Sequence, residues 1–270
     1  MNEKNFETTT IKNPKMPLLF CCDHASNEIP KFYNNLGLNK STLQKHISYD
    51  LGAKFLTKTL AKKFQTNYIL ARYSRLFIDL NRDPSHKNLI PQYSDEIEII
   101  GNKNISLEEK KYRIKHFHRS YHEKISNVLS DMDKKFNCKT TLICVHSFTP
   151  SLKNKENRPW HIGLLYRKDK RIFHEMYKHL KNIKTLNIGK NLPYSGYEDV
   201  NYTMTYHGEN KHRPFISIEL RNDSFKKYNK KRLNNIIKSI TVAIYKSQVA
   251  LGEPYKKKIS FLNKNILMEK

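Results

Sequence analysis

Two apolar runs of strand length each end on a histidine. The first is Leu18-Leu19-Phe20-Cys21-Cys22, followed by Asp23-His24-Ala25-Ser26-Asn27; the second is Thr141-Leu142-Ile143-Cys144-Val145, followed by His146-Ser147-Phe148-Thr149-Pro150. Open α/β sheets bind ligands at the carboxyl ends of their strands. Two imidazoles delivered to one such edge, with carboxylates nearby, make a metal site. Either histidine taken alone has a plainer reading, as a ring satisfied by turn hydrogen bonds. The repeated placement is what points to a metal.

The rest of the chain supplies a sheet for these strands to join. Apolar segments at 68–71, 76–80, 162–166 and 215–220 read as further strands. Helical spacing runs through 41–64, with one break near Tyr49, and its stripe of Leu51, Phe55, Leu56, Leu60 and Phe64 faces a core. A second helix spans 106–136, opened by a capping box of Ser106 and Glu109. Two more are expected from about 170 to 182 and over 230–251. Strands alternating with helices predict an α/β fold, a three-layer α/β/α sandwich around a mixed, mostly parallel sheet. Between 83 and 104 the chain is polar, holds Pro84 and Pro91 and lacks periodicity, the mark of a long and often functional loop. Residues 1–15 are expected to be a flexible arm, 16–252 a single domain, and 253–270 a basic tail carrying Lys256-Lys257-Lys258.

Composition narrows the class of function. A hydrophobic content of 38% and an aromatic content of 11% allow a real core and argue against global disorder. No run approaches the roughly 20 apolar residues that cross a bilayer, so no membrane is expected. The first residues contain no apolar stretch of a secretory signal. Cys21, Cys22, Cys138 and Cys144 form no CxxC pair and read as reduced thiols. Together these predict a cytoplasmic protein. The net charge of +25 admits a polyanion-binding protein as a rival class. Its lysines are scattered through every segment without a nucleic-acid motif, so a lysine-rich composition is the plainer reading and no specific nucleic-acid partner is expected.

Further clusters carry chemistry. Arg75-Leu76-Phe77-Ile78-Asp79-Leu80-Asn81-Arg82 reads as a strand running into an Asn-Arg pair. A guanidinium fork beside an amide suits a carboxylate, although a strand-end cap would look the same. In Phe215-Ile216-Ser217-Ile218-Glu219-Leu220-Arg221, Glu219 sits among apolar residues. A carboxylate there must be paired, bind a metal or shift its pKa, and a general base fits, unless strand alternation merely turns it outward. Asn191-Leu192-Pro193-Tyr194-Ser195-Gly196 is a shaped loop that could touch substrate, with Tyr194 equally readable as a packing residue, while Arg158 could form part of a rim and His207 has no assigned role.

These blocks, in this order, resemble the N-formylglutamate amidohydrolase family, and most closely its branch with an Asp-His-Ala-Ser-Asn signature. The resemblance covers about residues 18–251 and also takes in Tyr49-Asp50-Leu51-Gly52-Ala53, Tyr73-Ser74-Arg75 and Arg158-Pro159-Trp160-His161-Ile162-Gly163. The family is similar in turn to zinc carboxypeptidases. That likeness implies one zinc ion held by His24 and His146. The peptidases place a third ligand, a glutamate, three residues after the first histidine; here that position is Asn27. Asp50 is the expected substitute and Glu28 the alternative. By the same likeness Glu219 is the general base, and Asn81 and Arg82 are the grip on a substrate carboxylate; Arg75 or Arg82 is the candidate oxyanion donor. Tyr194, Ser195 and Arg221 complete the expected substrate contacts. The implied substrate is a small carboxylate-bearing amide such as N-formylglutamate, cleaved to formate and the amino acid; a short peptide or a cell-wall amide is the alternative.

Overall fold

The structure is a computed structural model that describes residues 5–9, 11, 13–151, 156–226, 230–252 and 255. In chain order its strands are β1 (Phe6–Thr9), β2 (Leu18–Cys22), β3 (Asn67–Ala71), the short hairpin β4 (Tyr93–Ser94) and β5 (Ile97–Glu98), β6 (Thr141–Phe148), β7 (Ile162–Leu165), β8 (Ile188–Lys190) and β9 (Phe215–Arg221). The helices are α1 (Lys40–Leu43), α2 (Ala53–Phe64), α3 (Leu107–Arg113), α4 (Ser120–Phe136), α5 (Arg171–Leu180) and α6 (Lys230–Ala250). A seven-stranded sheet has the order β1-β3-β2-β6-β9-β7-β8. Strands β3, β2, β6 and β9 run parallel. At one edge β1 is antiparallel to β3; at the other β7 is antiparallel to β9 and parallel to β8.

Both faces of the sheet are covered, which explains the unbroken apolar runs. Every residue of β2 and β6 is buried. Phe20 and Cys22 point into a core closed by α2, α5 and α6, through Leu56, Leu60, Met176, Ile236, Ile240 and Ile244. Leu19 and Cys21 point into an opposite core built on Tyr121, Ile125 and Leu129 of α4 and on Leu76 and Phe77. A strand buried on both sides loses the polar alternation of a half-exposed one. The expected three layers and mostly parallel sheet are present.

Several expected elements differ. Residues 76–80 form turns, not a strand. Ser74 Oγ accepts from Leu76 N at 3.1 Å and donates to the Ser48 carbonyl, which bends the chain at the start of the segment. Its carbonyls are satisfied by side chains from afar: Asn102 Nδ2 reaches Leu76 O at 2.7 Å, and buried Arg113 reaches Phe77 O at 3.0 Å. Helix 41–64 is two helices separated by turns, and Phe55 of its stripe is 52% exposed. The 106–136 helix is continuous but contains a π-helical turn at Ile114–Arg119. Within the expected arm, β1 pairs with β3 over Phe6–Thr9. The basic tail lies outside the described residues except Tyr255, which is buried and donates its hydroxyl to the Lys139 carbonyl. The four cysteines form no disulfide. No described helix is long and apolar enough to cross a membrane.

Candidate active site

The carboxyl ends of β2 and β6 do meet at one place. His24 lies two residues past the end of β2, and Asp50 N donates to the His24 carbonyl at 2.9 Å, which ties the turn before α2 to that strand end. Gly52 opens α2 at φ 84°, a conformation that disfavours a side chain, and a Cβ there would also strike the Phe225 ring. His146 lies in β6, and its partner across the β6–β9 ladder is Glu219. His24, Asp50, His146 and Glu219 are all buried.

Each imidazole faces carboxylates on both sides. His24 Nε2 is 2.7 Å from Asp79 Oδ1, and His146 Nε2 is 3.6 Å from Asp23 Oδ2. Asp23 is steadied in turn by the Tyr121 hydroxyl, which donates to its Oδ1 at 2.8 Å. The opposite ring nitrogens turn to Asp50 Oδ2, with His146 Nδ1 at 2.9 Å and His24 Nδ1 at 3.5 Å. His24 Nδ1 is buried without a hydrogen-bond partner. The ligand atoms of His24, Asp50 and His146 lie within 4.8 Å of one another. Imidazole and carboxylate donors of this number suit a divalent metal ion. Rings whose far nitrogen faces a carboxylate are the usual metal-binding arrangement. The residues present therefore fit a divalent metal.

Electrostatics divide the cluster. Burial opposes ionisation of Asp79, yet the His24 ring, Arg82 and Arg75 hold its carboxyl well below the usual range. Burial works against Asp23 as well, but the nearby His146 ring brings it down to about 2. His24 is lowered to about 4 by burial and by the Arg75 charge. His146 resists burial and is raised to about 10 by Asp23 and Glu219. Burial pushes the Glu219 carboxyl upward, and its Oε2 is buried without a hydrogen-bond partner.

A cavity of about 140 Å³ opens onto this cluster. His24, Asp50, His146 and Glu219 line it together with Arg75, Asn81, Arg82 and Tyr194. Arg75 also pairs with Asp50 Oδ1, and the Ser147 amide donates to Asp50 Oδ2 at 3.3 Å. Arg82 Nε lies 3.4 Å from Asp79. Arg158 NH1 donates to the Tyr194 hydroxyl at 3.2 Å.

Other expected residues stand elsewhere. Glu28, the alternative ligand, is exposed and paired with Arg72 at 3.5 Å, away from the cluster. Asn27 donates to the Leu43 carbonyl at 3.0 Å. Ser195 is not in the cavity wall, because its hydroxyl accepts from Tyr197 N at 3.2 Å inside its own turn. Arg221 is also absent from the wall. It forks onto Asp223 at 2.9 and 3.2 Å, a partner supplied two residues further along the chain. Sequence reasoning missed Asp23 and Asp79 as carboxylates behind the rings, although both stand inside the blocks that carry His24 and Asn81. Ser147, Val200 and Asn201 also line the cavity, and only Ser147, beside His146, had a local signal.

Comparison with known proteins bears on the family and the fold. The family model for N-formylglutamate amidohydrolase matches residues 16–225. The structure of a gene product of Agrobacterium tumefaciens superposes with a TM-score of 0.86 at 27% identity, covering 93% of this chain and 97% of that one. The crystal structure of N-formylglutamate amidohydrolase from Ralstonia eutropha superposes with a TM-score of 0.64 at 14% identity, covering 92% and 97%, and shows the shared fold. No curated protein matches the sequence.

Proposed function

The chain belongs to the N-formylglutamate amidohydrolase family, and from that membership we propose that it is a zinc-dependent amidohydrolase that removes the formyl group from a small N-formyl amino acid such as N-formylglutamate. The observation that carries this reading is the shared cavity: candidate metal ligands, a buried carboxylate with an unpartnered oxygen and an Asn-Arg pair line one space of about 140 Å³.

His24, Asp50 and His146 would hold the ion. A zinc ion bound there supplies Lewis acidity to the amide carbonyl and acidifies water toward pKa 7. Glu219 accepts the proton of the attacking water as oxygen bonds to the carbonyl carbon. It then delivers that proton to the amide nitrogen as the C–N bond breaks, giving formate and a free amine. Burial raises the proton affinity of Glu219, which suits this double role. Arg75, in the cavity wall beside Asp50, donates to the developing oxyanion. Asn81 and Arg82 hold the substrate carboxylate, and Tyr194 lines the same cavity.

A substrate panel tests the reading. Zinc-loaded protein is offered N-formylglutamate, other N-formyl amino acids, N-acetylglutamate and carboxamide-capped analogues. Formate release from the formyl substrates bearing free carboxylates is expected. Hydrolysis of none of the panel contradicts it.

A further inference from the structure

The Asn81–Arg82 pair sits on an irregular segment with no sheet ladder to satisfy its backbone, yet its carbonyls are all held. His122 Nε2 reaches Leu80 O at 2.8 Å, Tyr202 N donates to Asn81 O at 3.1 Å, and His118 Nε2 reaches Arg82 O at 2.9 Å. A carbonyl only accepts, so both imidazoles carry their proton on Nε2. His122 Nδ1 is then an acceptor. It lies 3.0 Å from His207 Nε2, whose ring stacks on His122, and His207 Nδ1 faces Ser126 Oγ at 3.5 Å. With both rings neutral the chain of bonds closes: His207 donates from Nε2 to His122 Nδ1, and its Nδ1 accepts from the Ser126 hydroxyl. Burial lowers His122 well below the ordinary range and His207 to about 3, consistent with that state.

Two further details point the same way. His118 and His207 each lie on a π-helical turn, at Ile114–Arg119 and Met204–Gly208. Such turns interrupt a regular helix and recur at functional sites. The Asn81 side-chain oxygen accepts from Thr203 N at 3.0 Å, which commits its carbonyl and leaves its amide N–H groups to donate, as an anion requires. The buried histidines thus hold the backbone on both sides of a residue whose own side chain is already oriented.

We propose that His118 and His122 are positioning residues. Through the Arg82 and Leu80 carbonyls they set the Asn81–Arg82 clamp for a substrate carboxylate, and His207 fixes the ring form that lets His122 do so. The inference rests on the clamp assigned under the proposed function and deepens it: the site selects amides that carry a carboxylate, and the selection depends on these imidazoles.

The test compares His118→Gln with His118→Asn. The longer amide places an N–H near the former Nε2 position; the shorter one does not reach the Arg82 carbonyl. For His118→Asn, KM for an N-formyl amino acid should rise about tenfold with kcat changed by less than about threefold, the scale of one lost buried hydrogen bond. L-Glutamate binding by calorimetry, which needs no turnover, should weaken by the same factor. Zinc content should be unchanged, a carboxamide-capped substrate should be unaffected, and His118→Gln should recover most of the loss. If His118→Asn does not fold, the same pair of substitutions at His122 repeats the comparison at Leu80. Unchanged KM and glutamate binding overturn the inference, as does an equal loss on capped and uncapped substrates. Wild-type protein that binds no glutamate overturns the clamp itself.

Discussion

His146 and Glu219 occupy one rung of the parallel β6–β9 ladder. Neighbouring strands stand about 4.8 Å apart, so this pairing delivers a ring nitrogen and a carboxylate to the same cavity without any loop to position them. Glu219 is outside the group of candidate ligands formed by His24, Asp50 and His146. Glu219→Gln should therefore lower kcat by about 10²–10⁴-fold, the usual contribution of a general base, with zinc content unchanged. Steady-state kinetics beside metal analysis checks both halves.

The rung extends one strand further, to Gly163 of β7. A Cβ at Gly163 would overlap the Leu192 carbonyl oxygen and come within 3.1 Å of Glu219 Cβ. Gly163→Ala should cost about 1–3 kcal/mol of stability, as overpacking does, and should displace the base. The denaturation midpoint and kcat are expected to fall together; a variant as stable and active as wild type contradicts the packing described.

Asp79 and Asp23 stand behind the two imidazoles. Carboxylates in that position orient a ligating ring and raise its basicity. Asp79→Asn should weaken zinc affinity by about 10–100-fold while leaving the fold intact. Competition against a chromogenic chelator measures it, and wild-type affinity in the variant would remove Asp79 from the account.

Arg82 lines the cavity with its Nε 3.4 Å from Asp79. Arg82→Leu should raise KM for an N-formyl amino acid by at least about tenfold, because a charge-assisted hydrogen bond is worth more than a neutral one. It should leave a carboxamide-capped analogue unaffected. Equal losses on both substrates would place Arg82 outside the carboxylate grip.

Much of this was legible in the chain, for a physical reason. Strands β2 and β6 announce themselves because parallel strands covered on both faces must be apolar throughout. His24, His146 and Glu219 stand out as polar residues in or just beyond such strands, Asp50 is reached only through the family resemblance, and the structure brings all four together. The segment 76–80 misled because a buried irregular stretch is as apolar as a strand. Its carbonyls are held by Asn102 and Arg113, far along the chain, and no local pattern reveals such partners. The π-helical turns carrying His118 and His207 are equally silent, since one extra residue in a turn leaves the apolar stripe almost intact. Ser195 and Arg221 matched motif positions but are engaged by Tyr197 and Asp223, and residue type alone does not reveal that competition.

The most direct test of the metal centre is hydrolysis of an N-formyl amino acid by protein stripped with a chelator, then titrated with zinc. Activity should vanish on stripping and return in full at one zinc per chain. Stripped protein that keeps its full rate would show that His24, Asp50 and His146 do not work through a metal.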